Sequence, residues 1–88
     1  MLVIKTTERF DRMLVSFLKY HKDLRTKTSE LMKALAKNPK DPKTKSHLLA
    51  GNFKGYHSAS INFKYRIMFF YDDKSIYFIS IGDHDGVY

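Results

Sequence analysis

The sequence predicts an α+β fold of the order β-α-α-β-β-β, in which an N-terminal helical hairpin packs on one face of a twisted antiparallel sheet. Apolar residues recur with helical spacing in the first half of the chain. In the second half they alternate with polar residues and then form a dense run, which indicates strands. Two prolines and several lysines mark a loop between the halves, at 38–46. The 88 residues suit one domain that spans 1–88.

The first strand is predicted at 2–5, and a helix follows it. Thr7 can cap this helix, and Glu8 places a negative charge in its first turn, where the helix dipole favours one. The apolar residues form one stripe at intervals of three and four: Phe10, Met13, Leu14, Phe17 and Leu18. We expect the stripe to face the core.

A second helix is predicted after a short connection, with Asp23 as its cap and Asn38-Pro39 as its end. Proline cannot continue a helix, and asparagine tolerates a left-handed cap. One side of the helix carries Leu24, Thr28, Leu31, Met32 and Leu35. Two helices joined by so short a connection are expected to form an antiparallel hairpin.

Three strands are predicted in the second half, at 56–61, 65–71 and 76–81, with tight turns at 62–64 and 72–74. Successive strands with short turns form an antiparallel meander. The strand at 2–5 can then pair only at an edge of that meander.

The strand at 65–71 is apolar on both sides. Its alternation places Ile67 and Phe69 on one face, with Tyr65 and Tyr71, and puts Arg66 with Met68 and Phe70 on the other. We expect the helices to cover one face. The other face is expected to leave an apolar surface that bears an arginine and suits a partner.

Composition excludes several kinds of site. The chain has no Cys, which rules out disulfides, zinc–thiolate sites and thiol nucleophiles. Only four consecutive apolar residues stand at the N-terminus, too few for a signal peptide or a membrane span. A cytoplasmic protein is expected.

The charge is strongly basic, with a net value of +7, and it is unevenly distributed. The segment 47–71 has three basic residues and no acid, whereas 72–88 has one basic residue and four acids. A basic domain of this size is drawn to a polyanion such as a nucleic acid or an acidic protein. Ordinary solvation explains the lysines on the helices, and binding is the favoured interpretation for those in 47–71.

Two side chains suggest chemistry. Arg66 lies in the middle of an apolar strand, where a guanidinium needs an anion; we favour a phosphate over the alternative, a salt bridge to an acid such as Asp83. His84 lies between two aspartates, Asp83 and Asp85, which favour its protonated form, as a general acid requires. The alternative is an exposed tail histidine. A metal at 83–85 is not expected, because neighbouring strand residues point to opposite sides.

Three blocks carry a family resemblance: HLLAGNFKGY at 47–56, a Tyr-Arg-Ile strand that begins at Tyr65 and ends with Tyr71, and a terminal Gly82-x-His84 followed by Tyr88. With these blocks in this order, nearly the whole chain resembles the RelE/ParE toxin superfamily. Within it, the chain is similar to the YafQ-like mRNA endonucleases of toxin–antitoxin modules.

The resemblance implies a RelE-like fold and an mRNA interferase that cuts messenger in the ribosomal A site. The implied reaction is attack of a ribose 2′-hydroxyl on the adjacent phosphate, which needs a base, an acid and a cation for the developing charge, with no metal and no cofactor. The implied partners are a cognate antitoxin protein, the ribosome with its rRNA, and mRNA.

The resemblance also implies roles for individual residues. His47 holds the position of a catalytic histidine, and its alternative is a loop residue that packs before Leu48. Tyr88 matches a terminal aromatic that stacks on a base or orients the phosphate, although chain ends are often disordered. The implied catalytic residues are therefore His84, His47, Arg66 and Tyr88.

Expected RNA contacts are Lys54, His57, Lys64 and Lys45. The chain departs from the family at two positions, since relatives often have a histidine and an aspartate where it has Ser60 and Lys64. With these two departures, either His47 and His84 suffice for proton transfer or the enzyme is weakened.

Two further functions remain open at the level of sequence. A ParE-like protein would inhibit DNA gyrase by binding, which the terminal His/Tyr pair disfavours. A basic module would bind RNA or the ribosome without catalysis.

Overall fold

The computed structural model describes residues 1–83 and has two helices on one face of a five-stranded sheet. The helices are α1 (Glu8–Tyr20) and α2 (Arg25–Lys37), and the strands are β1 (Val3–Thr6), β2 (His47–Leu48), β3 (His57–Ser60), β4 (Arg66–Tyr71) and β5 (Ser75–Gly82). The strand order is β1-β5-β4-β3-β2. No helix within 1–83 is long and apolar enough to cross a membrane.

The predicted fold class is confirmed, with one correction to the sheet. The three expected strands form antiparallel pairs, β3 with β4 and β4 with β5, and β1 lies at the edge. However, β1 runs parallel to β5, with Ile4 opposite Ile76, so the sheet is mixed rather than wholly antiparallel. The long helical connection leaves the direction of β1 free, whereas the tight turns of the meander dictate antiparallel pairing.

The pattern did not predict β2, which has two residues and pairs antiparallel with β3. Leu49 donates from its backbone N–H to the carbonyl of Tyr56, which closes the connection between the two strands. This hairpin brings the segment that follows the proline loop against the sheet.

The N-terminal cap of α1 agrees with the prediction from the sequence, and that of α2 does not. Thr7 accepts a hydrogen bond from the backbone N–H of Phe10 at 3.0 Å, as predicted. Asp23 does not cap α2: it lies in a 3-10 turn at Lys22–Leu24, and Leu24 precedes the helix without a side-chain cap. Leu24 is buried in the core, and its burial draws the connection into this turn.

The C-terminal cap of α2 also differs from expectation. Asn38 is extended, with φ −156° and ψ 96°, rather than left-handed. Its side chain accepts from the backbone N–H of Lys40, so it begins the next turn instead of closing the helix.

The core lies between the helices and one face of the sheet. Fully buried aromatic rings dominate it, and Phe10 of α1 stacks on Phe78 of β5 with ring centroids 5.9 Å apart. Ile67 and Phe69 of β4 join this core, which confirms that the alternation along 65–71 divides two faces.

A β-bulge lets β5 keep its apolar residues on the core face. Met68 pairs with Ser80, whereas the next residue, Phe69, pairs with Phe78, so Ile79 is an extra residue in β5. Phe78 and Ile81 are three residues apart, so strict alternation would place them on opposite faces of the sheet, yet both belong to the core cluster. The bulge therefore keeps the side chains of Phe78 and Ile81 on the same, core-facing side of β5.

An aromatic cluster ties the end of α1 to the start of β4. One ring nitrogen of His21 bonds the carbonyl of Phe17 at 2.9 Å, and the other bonds the hydroxyl of Tyr65 at 2.8 Å. Tyr65 also packs edge-on against Phe17, with centroids 5.2 Å apart. This contact fixes the residue that immediately precedes Arg66.

Two phenylalanines give a matched test of the core. Phe10 is completely buried, and Phe63 is 99% exposed. Phe10→Ala should lower the free energy of unfolding by about 3–5 kcal/mol, because it removes a ring from a packed interior. Phe63→Ala should change it by no more than about 0.5 kcal/mol. Urea unfolding of both variants measures the difference, and equal effects would contradict the described core.

Candidate active site

The face of the sheet opposite the helices carries the candidate chemistry. Arg66, Met68 and Phe70 of β4 point to it, as their alternation predicts, and the neighbouring strand adds Ser58 and Ser60. Arg66 is therefore the reference point for the positions of the other predicted site residues.

Arg66 is held by uncharged oxygens from two segments. Its Nε donates to Ser58 Oγ at 2.6 Å, and its Nη2 donates to the carbonyl oxygens of Ser58 at 3.3 Å and Lys45 at 3.4 Å. These acceptors fix the plane of the guanidinium and do not themselves neutralise its charge. A fixed, half-buried guanidinium suits a phosphate, which it can bind in two-pronged fashion.

His47 lies beside this guanidinium. Its Nδ1 is 3.4 Å from Arg66 Nη2. A guanidinium can only donate, so Nδ1 is the acceptor and carries no proton in this arrangement. His47 is exposed on β2, and once a bound phosphate takes over this N–H of Arg66, Nδ1 is free to accept a proton, as a general base requires.

The chain reaches this site through a strained residue. Pro42–Thr44 form a 3-10 turn, and Lys45 follows it in the left-handed conformation with φ 52°. Within 1–83, Lys45 is the one residue other than glycine with positive φ. That conformation costs a lysine of order 1 kcal/mol and turns its carbonyl toward Arg66.

The positions that depart from the family lie at the same end of β3. Ser60 is the direct partner of Arg66 across the strands, and its hydroxyl donates to the carbonyl of Asn62 at 2.6 Å. Lys64 is exposed in the turn that follows, with its Nζ 5.4 Å from the centre of the Tyr65 ring. The structure thus places Lys45, Ser60 and Lys64 around the Arg66 end of the sheet.

Lys54 lies away from the Arg66 end of the sheet. It follows a 3-10 turn at Gly51–Phe53 in the connection between β2 and β3, at the opposite end of β3 from Ser60. It is exposed there and separated from Arg66 by the length of the strand.

His57 faces away from Arg66. It is opposite Leu48 and Phe69, on the helix side of the sheet, and its ring stacks on Phe69 with centroids 5.4 Å apart. Burial lowers the pKa of His57 below its ordinary value of 6.5, and repulsion from His47 lowers it further. His57 is therefore a packing residue in this structure and does not join the site formed by Arg66 and His47.

A row of aromatic side chains crosses the open face at the other end of β3 and β4 from Arg66. Phe70 stacks on Tyr77 with centroids 4.5 Å apart, and Tyr56 packs edge-on against Phe70. At the far edge, the ammonium of Lys5 lies 5.6 Å from the centre of the Tyr77 ring. The row gives this face an apolar surface with a cation, Lys5, at its β1 end.

Two predicted catalytic residues, His84 and Tyr88, lie outside the described residues. Of the predicted catalytic set, the structure brings together His47 and Arg66. Sequence reasoning missed Ser58, whose hydroxyl orients the guanidinium. The alternation of Ser58 and Ser60 on the strand beside Arg66 was the available signal, since an arginine there needs nearby acceptors.

Comparison with known proteins agrees with the fold and with the resemblance. The profile of a family described as YoeB-like toxin of bacterial type II toxin–antitoxin system matches residues 6–85. The fold is similar to YafQ from E. coli strain BL21(DE3), with a TM-score of 0.85 and 26% identity over 100% of this chain and 99% of that one. No curated protein sequence matches significantly.

Two further solved structures are similar. YafQ in the E. coli DinJ–YafQ complex has a TM-score of 0.83 and 26% identity, over 100% of this chain and 99% of that chain. The YoeB dimer from Staphylococcus aureus has a TM-score of 0.79 and 27% identity, over 94% and 97%. The resemblance stated from the sequence is thereby confirmed.

The position of His57 predicts its titration. An NMR titration of the ring protons should give His57 a pKa below 6.5, and His47→Gln should raise that pKa partway, because burial remains. Because folding lowers the pKa of His57, neutral His57 contributes fully to the stability of the protein above about pH 6.5. This contribution is lost as the pH falls through the pKa that His57 has in the folded protein. A pKa for His57 at or above 6.5 would contradict its described surroundings.

The anchoring of Arg66 predicts a cost for removing the Ser58 hydroxyl. Ser58 is completely buried, and Ser58→Ala leaves the Arg66 Nε without that acceptor. The free energy of unfolding should fall by about 1–3 kcal/mol. Ser16→Ala on the exposed side of α1 is the control and should have little effect. Equal urea midpoints for the two variants would show that the hydroxyl does not hold the guanidinium.

Proposed function

The chain belongs to the family of YoeB-like toxins of bacterial type II toxin–antitoxin systems, and we propose that it is a ribosome-dependent endoribonuclease that cleaves mRNA in the A site. Its reaction uses the 2′-hydroxyl of the substrate as nucleophile and requires no metal. The site of action is the cytoplasm, where ribosomes translate.

The observation that carries this proposal is the pairing of Arg66 with His47 on the open face. A fixed cation and an unprotonated imidazole nitrogen lie 3.4 Å apart, and both are accessible from one side of the sheet. A phosphodiester bound to the guanidinium places the neighbouring 2′-hydroxyl within reach of the imidazole. Phosphoryl transfer needs this combination of positioning and charge stabilisation.

The steps follow from these groups. The bound phosphate takes the Arg66 Nη2 N–H in place of His47, and the freed His47 Nδ1 takes the proton of the 2′-hydroxyl while the 2′-oxygen attacks phosphorus. Negative charge accumulates on the non-bridging oxygens, and the Arg66 guanidinium stabilises it. The bond from phosphorus to the 5′-oxygen breaks, and that oxygen takes a proton from His84. The products are a 2′,3′-cyclic phosphate and a 5′-hydroxyl.

The flanking residues take supporting roles. Tyr88 stacks on a base or orients the phosphate, as the resemblance implies. Lys45 and Lys64, at the Arg66 end of the sheet, contact the RNA backbone, and Lys54 contacts RNA from the other end of β3. Ser60 donates to a backbone carbonyl, so it supplies no proton carrier in place of the relatives' histidine. Proton transfer therefore depends on His47 and His84.

A cognate antitoxin is the proposed protein partner. The E. coli relative YafQ has been solved in complex with DinJ, and the S. aureus relative YoeB in complex with YefM. The row of Tyr56, Phe70 and Tyr77 provides an apolar surface on the same face of the sheet as the catalytic pair. An antitoxin segment that lies on this row and extends along β4 blocks access to Arg66.

The direct test compares variants on ribosomes programmed with a defined message. Arg66→Gln should lower the cleavage rate by on the order of 10²–10³, because it removes a charge that acts on the transition state. His47→Gln should lower it by on the order of 10²–10⁴, as expected for loss of a general base. Arg9→Gln, an exposed arginine on α1, is the matched control and should cleave like the parent.

Analysis of the cleaved ends separates this function from its rivals. New 5′-hydroxyl ends within A-site codons are expected from the parent protein and the Arg9 control. Damage to DNA without messenger cleavage would instead assign the chain to gyrase inhibition. Ribosome binding that arrests translation without new ends would assign it to non-catalytic binding. Undiminished cleavage by Arg66→Gln or His47→Gln would contradict their roles.

A further inference from the structure

We infer that a basic cleft next to Arg66 is a nucleotide subsite for the RNA strand, in which lysines hold the backbone phosphates and Phe63 stacks on a base. This inference rests on the proposed function for the identity of the ligand as RNA. It adds a second binding site, outside the catalytic pair, to the surface that the substrate contacts.

The cleft has a volume of about 370 Å³ and lies between α2, the loop before β2 and the turn between β3 and β4. We call it the lysine cleft. Its polar and aromatic lining consists of Lys27, Lys43, Lys45, Ser60, Asn62 and Phe63. Buried Ile61 completes it.

The charge of the lysine cleft is one-sided. Within 1–83, three lysines line it and no acidic residue does, whereas the adjoining cavity along α2 includes the acids Glu30 and Asp41. Lys27, Lys43 and Lys45 are all exposed, so each ammonium can reach a ligand in the cleft. Such a cluster attracts a chain of phosphates, and the neighbouring acids confine the attraction to this stretch.

The loop that supplies two of these lysines is firmly built. Asp41 accepts from the backbone N–H of Lys43 at 3.0 Å, and the hydroxyl of Thr44 donates to the carbonyl of Asp41 at 2.7 Å. Thr44 is 4% exposed, which anchors the turn, and the left-handed Lys45 then redirects the chain. A lysine held in a costly backbone conformation indicates that its position matters.

Phe63 is the second, independent observation. It is 99% exposed, so the core does not explain it, and it lies in a turn that is well determined. The side chain of Asn62 accepts from the backbone N–H groups of Lys64 at 2.9 Å and Tyr65 at 2.8 Å. The turn therefore presents an aromatic ring to solvent on a rigid support, at the rim of the lysine cleft. A ring beside phosphate-binding cations is the arrangement that binds single-stranded nucleic acid.

The lysine cleft is continuous with the catalytic pair. Lys45 lines the cleft, and its carbonyl accepts from Arg66 Nη2 at 3.4 Å. Ser60 lines the cleft as well and is the cross-strand partner of Arg66. An RNA strand with its scissile phosphate on Arg66 can thus extend a flanking nucleotide into the cleft. The subsite then contributes to the affinity for RNA.

The test measures binding of a short, fluorescein-labelled, single-stranded 2′-O-methyl RNA, which lacks the nucleophile and cannot be cleaved. Phe63→Ala should weaken binding about tenfold at fixed salt, with an unchanged salt dependence, because stacking is largely non-ionic. The double variant Lys27→Gln/Lys43→Gln should reduce the slope of log affinity against log salt by about 0.7 for each phosphate that the protein no longer neutralises.

Matched controls carry the same chemical changes outside the cleft. Tyr20→Ala removes an aromatic ring that is 74% exposed on α1. Lys33→Gln/Lys37→Gln removes two charges from exposed positions on the same helix as Lys27. Neither control should change affinity or slope by as much as its counterpart in the lysine cleft.

The outcomes separate this inference from the nuclease proposal. Variants of the lysine cleft that bind like the parent or like their controls would overturn the subsite, even if all of them cleave messenger. Competition by polyglutamate as strong as that by RNA of equal charge would overturn the nucleotide assignment in favour of an acidic protein. Binding through the cleft by a parent protein that cleaves no messenger would support the subsite and overturn the nuclease function.

Discussion

The hydrogen bond from Arg66 to Ser58 is the interaction on which the rest of the site depends. A guanidinium in the middle of a strand has given up part of its hydration, and it must recover that free energy through nearby acceptors. Ser58 is diagonal to Arg66 across the antiparallel pair and completely buried, so its hydroxyl, 2.6 Å from Nε, offers a fixed acceptor. The guanidinium then reaches Lys45 and His47, and this connects the short β2 hairpin to the strand that carries the charge.

The two faces of the sheet have different roles, since one forms the core and the other carries the candidate site. One face is a dry aromatic core in which Phe10, Phe69 and Phe78 are fully buried, and it supplies the stability that an 88-residue chain can gather. The other face carries Arg66, the imidazole of His47 and the half-buried rings of Tyr56, Phe70 and Tyr77. The bulge at Ile79 lets both faces coexist, because it returns Ile81 to the core after the register changes.

The sequence predicted what local periodicity controls. The alternation along β4 separated Ile67 and Phe69 from Arg66, and Thr7 was recognisable as a helix cap. The direction of β1, the two-residue β2 and the bulge in β5 depend on contacts between distant segments, and no local pattern specifies them. Asp23 failed as a cap because burial of its neighbour Leu24 outweighed capping chemistry.

The same division applies to the site. Arg66 was identifiable from its cost in an apolar strand, and His47 only from a family resemblance. The role of Ser58 and the assembly of the lysine cleft required the fold, because Lys27, Lys43 and Phe63 are remote in sequence and meet through α2, a 3-10 turn and a β-turn. His84 and Tyr88 lie outside the described residues, and their roles stay predictions from the sequence.

The central claim is that Arg66 and His47 act on one phosphodiester, Arg66 at the phosphate and His47 at the neighbouring 2′-oxygen. NMR can follow the Arg66 side-chain N–H signals and the His47 ring signals while a 2′-O-methyl dinucleotide is added to the intact protein. The account predicts that both sets of signals shift together along a single binding curve. Shifts confined to one of the two residues, or to neither at saturation, would contradict it.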